Sequence, residues 1–116
     1  MEKQIIEFKA SGGQDLKRVS PLQVFATGTV GYLLARFTFS DAWAGYNERL
    51  AVWYNGSAKE ETPIDESGVI AIPRKVLEQP GTLKMNLCFS CTENGTAARR
   101  LTSRPVDVLK LVKANY

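Results

Sequence analysis

At 116 residues, 44% of them hydrophobic and 23% charged, the chain has the size and composition of one soluble-type domain with a core that needs no disulfide or metal staple. The formal charge is +3 and histidine is absent, which removes the usual general base at neutral pH and the commonest metal ligand. No apolar run approaches the ~20 residues of a membrane helix, and "MEKQIIEFKA" carries Glu and Lys where a signal peptide needs an apolar core, so the expectation is synthesis in the cytoplasm without export.

Alternation with period two dominates, interrupted by turn residues at short intervals. "KQIIEFK" (Lys3 to Lys9) predicts a strand that stops at Ser11-Gly12-Gly13. "YLLARFTF" predicts a strand with Leu33, Ala35, Phe37 and Phe39 toward the core and Tyr32, Leu34, Arg36 and Thr38 away from it. "RLAVWYNG" alternates Leu50, Val52 and Tyr54 against Arg49, Ala51 and Trp53; Leu50 and Val52 are assigned to the core. Asn55-Gly56 is expected to centre a type I′ hairpin turn, because both residues tolerate positive φ.

The polar "SAKEETPID" reads as an edge strand blunted by charge and by Pro63. "VIAIP" predicts a short apolar strand stopped by Pro73. "RKVLEQPG" is the one helical fragment, about two turns at most near residues 74–79, framed by Pro73 and Pro80-Gly81. "TLKMNLCFSC" sends Leu83, Met85, Leu87, Phe89 and Cys91 inward, with Lys84, Asn86, Cys88 and Ser90 outward. A second hairpin turn is expected at "ENG" (Glu93 to Gly95), leading into "TAARRLTS". "RPVDVLKLV" reads as a last strand, although Val106, Val108, Leu109, Leu111 and Val112 are too dense for a single buried face. Many short strands and no long helix predict one all-β domain over residues 1–116, an antiparallel β-sandwich or barrel.

Several constellations invite chemistry. "CFSC" has redox or metal-knuckle spacing, but within a strand Cys88 and Cys91 point to opposite faces with Cα atoms roughly 10 Å apart, too far for a disulfide. Cys91 is therefore expected as a small core residue and Cys88 as a partly covered thiol. Glu60, Glu61, Asp65 and Glu66 lack calcium-loop spacing and read as a solvated, charged edge. Asp41 beside Trp43 has no placed second carboxylate, which leaves a hydrolase without its pair. Arg99, Arg100 and Arg104 form the one basic cluster, with no recognition helix or stacking motif beside it; it reads first as a plain solvated surface, then as a protein contact, and last as a nucleic-acid contact. Asn55-Gly-Ser and Asn94-Gly-Thr match the glycosylation pattern but coincide with the expected turns.

In "FTFSDAWAGYNERLAVWYNG" two strands flank an irregular crossing. Ser40 and Asp41 are turn formers whose side chains can bond nearby amides, and Gly45 relieves backbone constraint. Trp43 is expected as a plug closing one end of the core. The order and spacing of Phe37, Thr38, Phe39, Ser40, Asp41, Trp43, Gly45 and Val52, then Ile72, Pro73, Val76, Leu77, Pro80 and Gly81, then Leu101, Thr102 and Val106, resemble a family of small β-domain proteins of tailed bacteriophages and prophages of Gram-positive bacteria. The resemblance spans about residues 30–108, with Ala44 where members usually carry an acidic residue.

The resemblance implies an immunoglobulin-like sandwich used as a virion part: a capsid decoration, or a tail, baseplate or fibre-attachment module. It implies no enzymatic activity, catalytic residue, metal or cofactor. Phe37, Phe39, Asp41, Trp43, Gly45, Pro73 and Gly81 would then be fold determinants. Expected partners are other virion proteins or copies of the chain itself, not membrane or nucleic acid, with Arg99, Arg100, Arg104 and Tyr116 as candidate contacts. The strand from Met1 to Lys9 and the tail from Leu109 to Tyr116 are further contact elements. The alternative is a carbohydrate-binding module with a stacking platform drawn from Trp43, Tyr46, Trp53 or Tyr54, taking a surface glycan.

Overall fold

A strand that commits one face to the core needs a second layer to cover it, and the chain answers with two sheets. The computed structural model describes residues 4–12, 15–28, 33–93 and 96–113. Within them lie β1 (Gln4–Ala10), β2 (Leu16–Arg18), β3 (Val24–Ala26), β4 (Leu33–Phe39), β5 (Glu48–Asn55), β6 (Ala58–Pro63), β7 (Val69–Ala71), β8 (Gly81–Glu93), β9 (Thr96–Thr102) and β10 (Val106–Val112). The short strands β2 and β3 have too few residues to show alternation and were not legible in the sequence. Tyr32, Tyr116 and the turn at Asn94-Gly95 lie outside the described residues.

One sheet has the order β2-β1-β4-β7; the other runs β3-β10-β8-β5-β6, with β9 also on β8. The all-β sandwich is as expected, but both sheets are mixed. β1 pairs β4 in parallel, and so do β10 and β3, while the other pairs are antiparallel. The parallel pairs arise because the chain crosses to the other sheet at β3 before returning as β4. β1 lies between β2 and β4; β4 pairs along its whole length, whereas β2 covers only Phe8–Ala10 of the other edge. β6 is an edge strand, as its charges and Pro63 predict.

The long strand β8 organises the larger sheet. One of its edges holds β5; the other holds β10 along its first part and β9 along its second. Ser103 bridges the gap between them: its amide donates to Leu87 O (2.9 Å), and its hydroxyl accepts from the Leu87 amide (2.7 Å). A register shift between Asp107 and Leu109 explains the dense apolar run of β10. Val108 and Leu109 are both fully buried because the bulge lets consecutive side chains reach the core.

β4 and β8 bury the predicted faces, with Leu33, Ala35 and Phe37 from one and Leu83, Met85, Leu87 and Phe89 from the other. β5 corrects its expectation. Register places Ala51 and Trp53 beside the inward Leu87 and Met85, so this pair faces the core, each at 0% exposure. Leu50 and Tyr54 are half-buried on the outer face, where Val52 is covered between Glu61 and Asn86. Both faces of β5 are apolar enough that alternation alone could not choose. Trp53 tolerates full burial because its indole N–H donates to Thr62 Oγ1 (3.0 Å). Cys91 is also corrected: it is half-buried and outside the core, since Arg99 rather than an apolar residue stands opposite it at the end of the sandwich.

The Asn55-Gly56 turn lies one residue further on than expected. Asn55 pairs with Ala58 as the last residue of β5, which leaves Gly56 and Ser57 as the connection, with Gly56 at φ +60°. The buried Asn55 amide donates to Val76 O (2.9 Å) and Gln79 O (2.8 Å), and the Gln79 side-chain amide donates back to Asn55 O. These bonds and the extended Pro73 (φ −61°) limit the helical fragment to one 3-10 turn, Arg74–Leu77, in place of the two expected. Gly81 completes the knot at φ +136°, where a Cβ would stand 2.8 Å from Asn55 Oδ1.

Asn55→Ala strands two carbonyls and is expected to lower stability by about 2–3 kcal/mol in urea denaturation. Gly81→Ala is also destabilising. Because removal of Oδ1 relieves part of its clash, the double variant should lose less than the two single losses added together.

Candidate functional site

The surface features converge where the chain crosses from β4 in one sheet to β5 in the other. Ser40 opens a 3-10 turn, Asp41–Trp43, closed by the Trp43 amide donating to Ser40 O (3.0 Å) and the Ala44 amide donating to Asp41 O (3.1 Å). The Ser40 hydroxyl makes no capping bond, contrary to expectation, because the backbone alone closes the turn; its oxygen is buried without a hydrogen-bond partner. Trp43 is the end plug, 1% exposed, with its indole N–H on Ser11 O (2.8 Å). Its ring meets Phe89 edge-on at 5.1 Å and lies 6.3 Å from Phe39.

Beyond the plug, Gly45 turns at φ +85° and Tyr46 leans edge-on toward Phe89 at 6.2 Å. Two guanidinium groups finish the aromatic cluster. Arg99 lies over the Tyr46 ring (5.1 Å) and donates through Nη2 to Gly45 O (3.1 Å). Arg49 sits opposite Phe89 in the strand register, 5.8 Å from its ring centroid, and donates through Nε to Tyr46 O (3.2 Å). Asn47 ties this loop to β8 by accepting the Thr92 amide (3.1 Å).

A cleft of about 310 Å³ opens beside this loop, lined by Tyr46, Asn47, Arg49, Ile64, Asp65 and Glu66. The Ile64 amide donates to Arg49 O (3.0 Å), and the Phe37 amide to Gly68 O (2.8 Å), which anchors the segment between β6 and β7 to both sheets. Asp65 Oδ1 accepts the Ser67 hydroxyl and the Ser67 amide (2.9 Å). The hydroxyl first, then that amide, hold the Asp65 carboxyl below its ordinary value of 3.8. Arg49 and Asp65 form no salt bridge across the cleft among the described residues.

The predicted contacts Arg99, Arg100 and Arg104 are all exposed, and Arg99 is held by Gly45 and Tyr46. β9 pairs only with β8 among the described residues. Of the acids, Glu60 meets Lys75 at 3.8 Å, and Asp65 and Glu66 turn out to line the cleft. Cys88 and Cys91 are free, half-buried thiols. Trp43 and Trp53 are buried and cannot form a stacking platform; Tyr46 and Tyr54 are half-buried. Sequence reasoning did not place Arg49 and the Asp65–Ser67 turn on one cleft, since β6 and its turn lie between them in the chain and must fold back to bring them together. The Asp-x-Ser spacing of an Asx turn was the one available signal.

The fold and these surfaces define an all-β sandwich domain. Among solved structures the chain is similar to the N-terminal domain of phage TP901-1 ORF48, with a TM-score of 0.58 over 97% of this chain and 100% of that one, at 11% identity. No protein-family profile matches the sequence. No curated protein matches it either. Among the described residues no helix is long and apolar enough to cross a membrane.

Because Asp65 titrates below its ordinary value in the fold, its turn stabilises the protein above about pH 4 and the contribution fades as pH falls through the folded value. Ser67→Ala is expected to raise the Asp65 pKa toward 3.8, read by carboxyl carbon NMR titration. An unchanged pKa would assign the shift to another cause.

Proposed function

We propose that the chain is a non-enzymatic structural module of a tailed-phage virion that binds neighbouring subunits, as a capsid decoration or a tail, baseplate or fibre-attachment part. The observation that carries this reading is the domain-length fold similarity to the N-terminal domain of phage TP901-1 ORF48, aligned with all of that chain. The sequence resemblance to small phage β-domains points the same way.

Partners in this reading are other virion proteins or copies of the chain, and no cofactor takes part. The surface supplies suitable contacts. Val19, Leu22 and Val24 are 60%, 46% and 58% exposed, on the segment leading into edge strand β3. Exposed apolar residues this close together suit burial against a neighbour. On the same side of β8, further along that strand, Arg100 and Arg104 offer charged contacts beside β9, whose other edge has no strand partner among the described residues.

Mass spectrometry of purified particles from the phage or induced prophage encoding the chain should find it in several copies per particle. Particles that lack it, together with a strictly monomeric purified protein, would overturn the proposal.

A further inference from the structure

The cleft beside the crossing loop holds opposite charges that do not neutralise each other. Arg49 has its Nε on Tyr46 O and its guanidinium near the Phe89 ring, while its two terminal nitrogens have no protein partner among the described residues. Asp65 has Oδ1 committed to Ser67, with the Gly68 amide also favouring its charged form, while no hydrogen bond to Oδ2 is formed among the described residues; Glu66 is exposed beside it. Both groups are fixed before any ligand arrives, which lowers the ordering cost of binding.

That pattern selects for charge. A simple cation is drawn to Asp65 and Glu66 but repelled by Arg49, and a simple anion the reverse, so neither satisfies both walls. A neutral group that accepts from the guanidinium and donates to the carboxylate satisfies both walls at once. Vicinal hydroxyls do this. Tyr46 adds an aromatic wall, backed by the Arg99 guanidinium, against which an apolar C–H face can rest. Hydroxyls on one side and C–H groups on the other describe a pyranose ring. The volume, about 310 Å³, is at the lower end for small-ligand pockets and suits one sugar unit better than an extended chain.

We infer that the cleft between the Tyr46–Arg49 loop and the Ile64–Glu66 segment binds one neutral pyranose unit of a glycan. This site is separate from the apolar segment before β3 and from the β9 edge, so it adds a ligand to the assembly role without relying on it. Of the aromatics expected as a stacking platform, Trp43 and Trp53 are in the core, and Tyr46 alone lines this cleft, among hydrogen-bonding groups.

The test is amide and arginine Nε NMR of the full chain, titrated with methyl glycosides of glucose, galactose, rhamnose and N-acetylglucosamine. Concentrations should reach ~50 mM, since a single small contact site binds in the millimolar range. Saturable shifts confined to Tyr46, Asn47, Arg49, Asp65 and Glu66 with at least one glycoside are expected. Asp65→Asn and Arg49→Lys should each weaken that binding about tenfold while the remaining spectrum stays folded. Three results would overturn the inference: no saturable shift with any glycoside, shifts that neither variant weakens, or shifts at these residues only with acetate or methylguanidinium.

Discussion

The contact on which the rest of the molecule depends is the meeting of Phe39 and Phe89, 5.2 Å apart, with Trp43 edge-on against Phe89. Phe39 ends the central strand of one sheet and Phe89 lies in the long strand of the other, so this cluster fastens the two layers at one end. Phe8 and Phe37, paired in register and stacked at 5.4 Å, carry the same packing back into the smaller sheet. The chain crosses between sheets at this point, and burying Trp43 there fixes the angle at which β5 starts. Aromatic packing of this kind adds geometry to hydrophobic burial, because edge-on and offset contacts are preferred over arbitrary ones.

The surface chemistry grows out of that cluster. Arg49 and Arg99 each place a guanidinium on an aromatic ring and each bond a carbonyl of the crossing loop. Core packing thereby reaches the loop through charged side chains with apolar stems. Both walls of the cleft are anchored, one by the arginine-bound loop and the other by backbone bonds into β4 and β5. The edges divide differently. β2, β3 and β7 are three residues long and β6 carries charges and Pro63, features that discourage unplanned strand pairing. What these devices leave open is the apolar approach to β3 and the side of β9.

Some of the architecture could be read locally because period-two alternation and turn residues act over a few positions. β4 and β8 have one plainly apolar face, so Leu33, Ala35, Phe37, Leu83, Met85, Leu87 and Phe89 were legible as core. β5 was not, since both its faces carry apolar side chains and only pairing with β8 decides between them. The dense run of β10 needed its bulge to be understood. Asn55 looked like a turn residue, and its sequence neighbours gave no hint that a turn some twenty residues later takes both its amide protons.

By itself the sequence determined the class: an all-β chain, its main strands, the edge character of β6 and the plug role of Trp43, all consequences of side-chain pattern and local backbone preference. Tertiary structure alone decided which strands run parallel, which face of β5 is inside, and which charges share a cleft. Arg49 and Asp65 are brought together only when β5 pairs with β6 and the following segment bonds back to β5. Such juxtapositions depend on loop closure and sheet register, and no local periodicity encodes either.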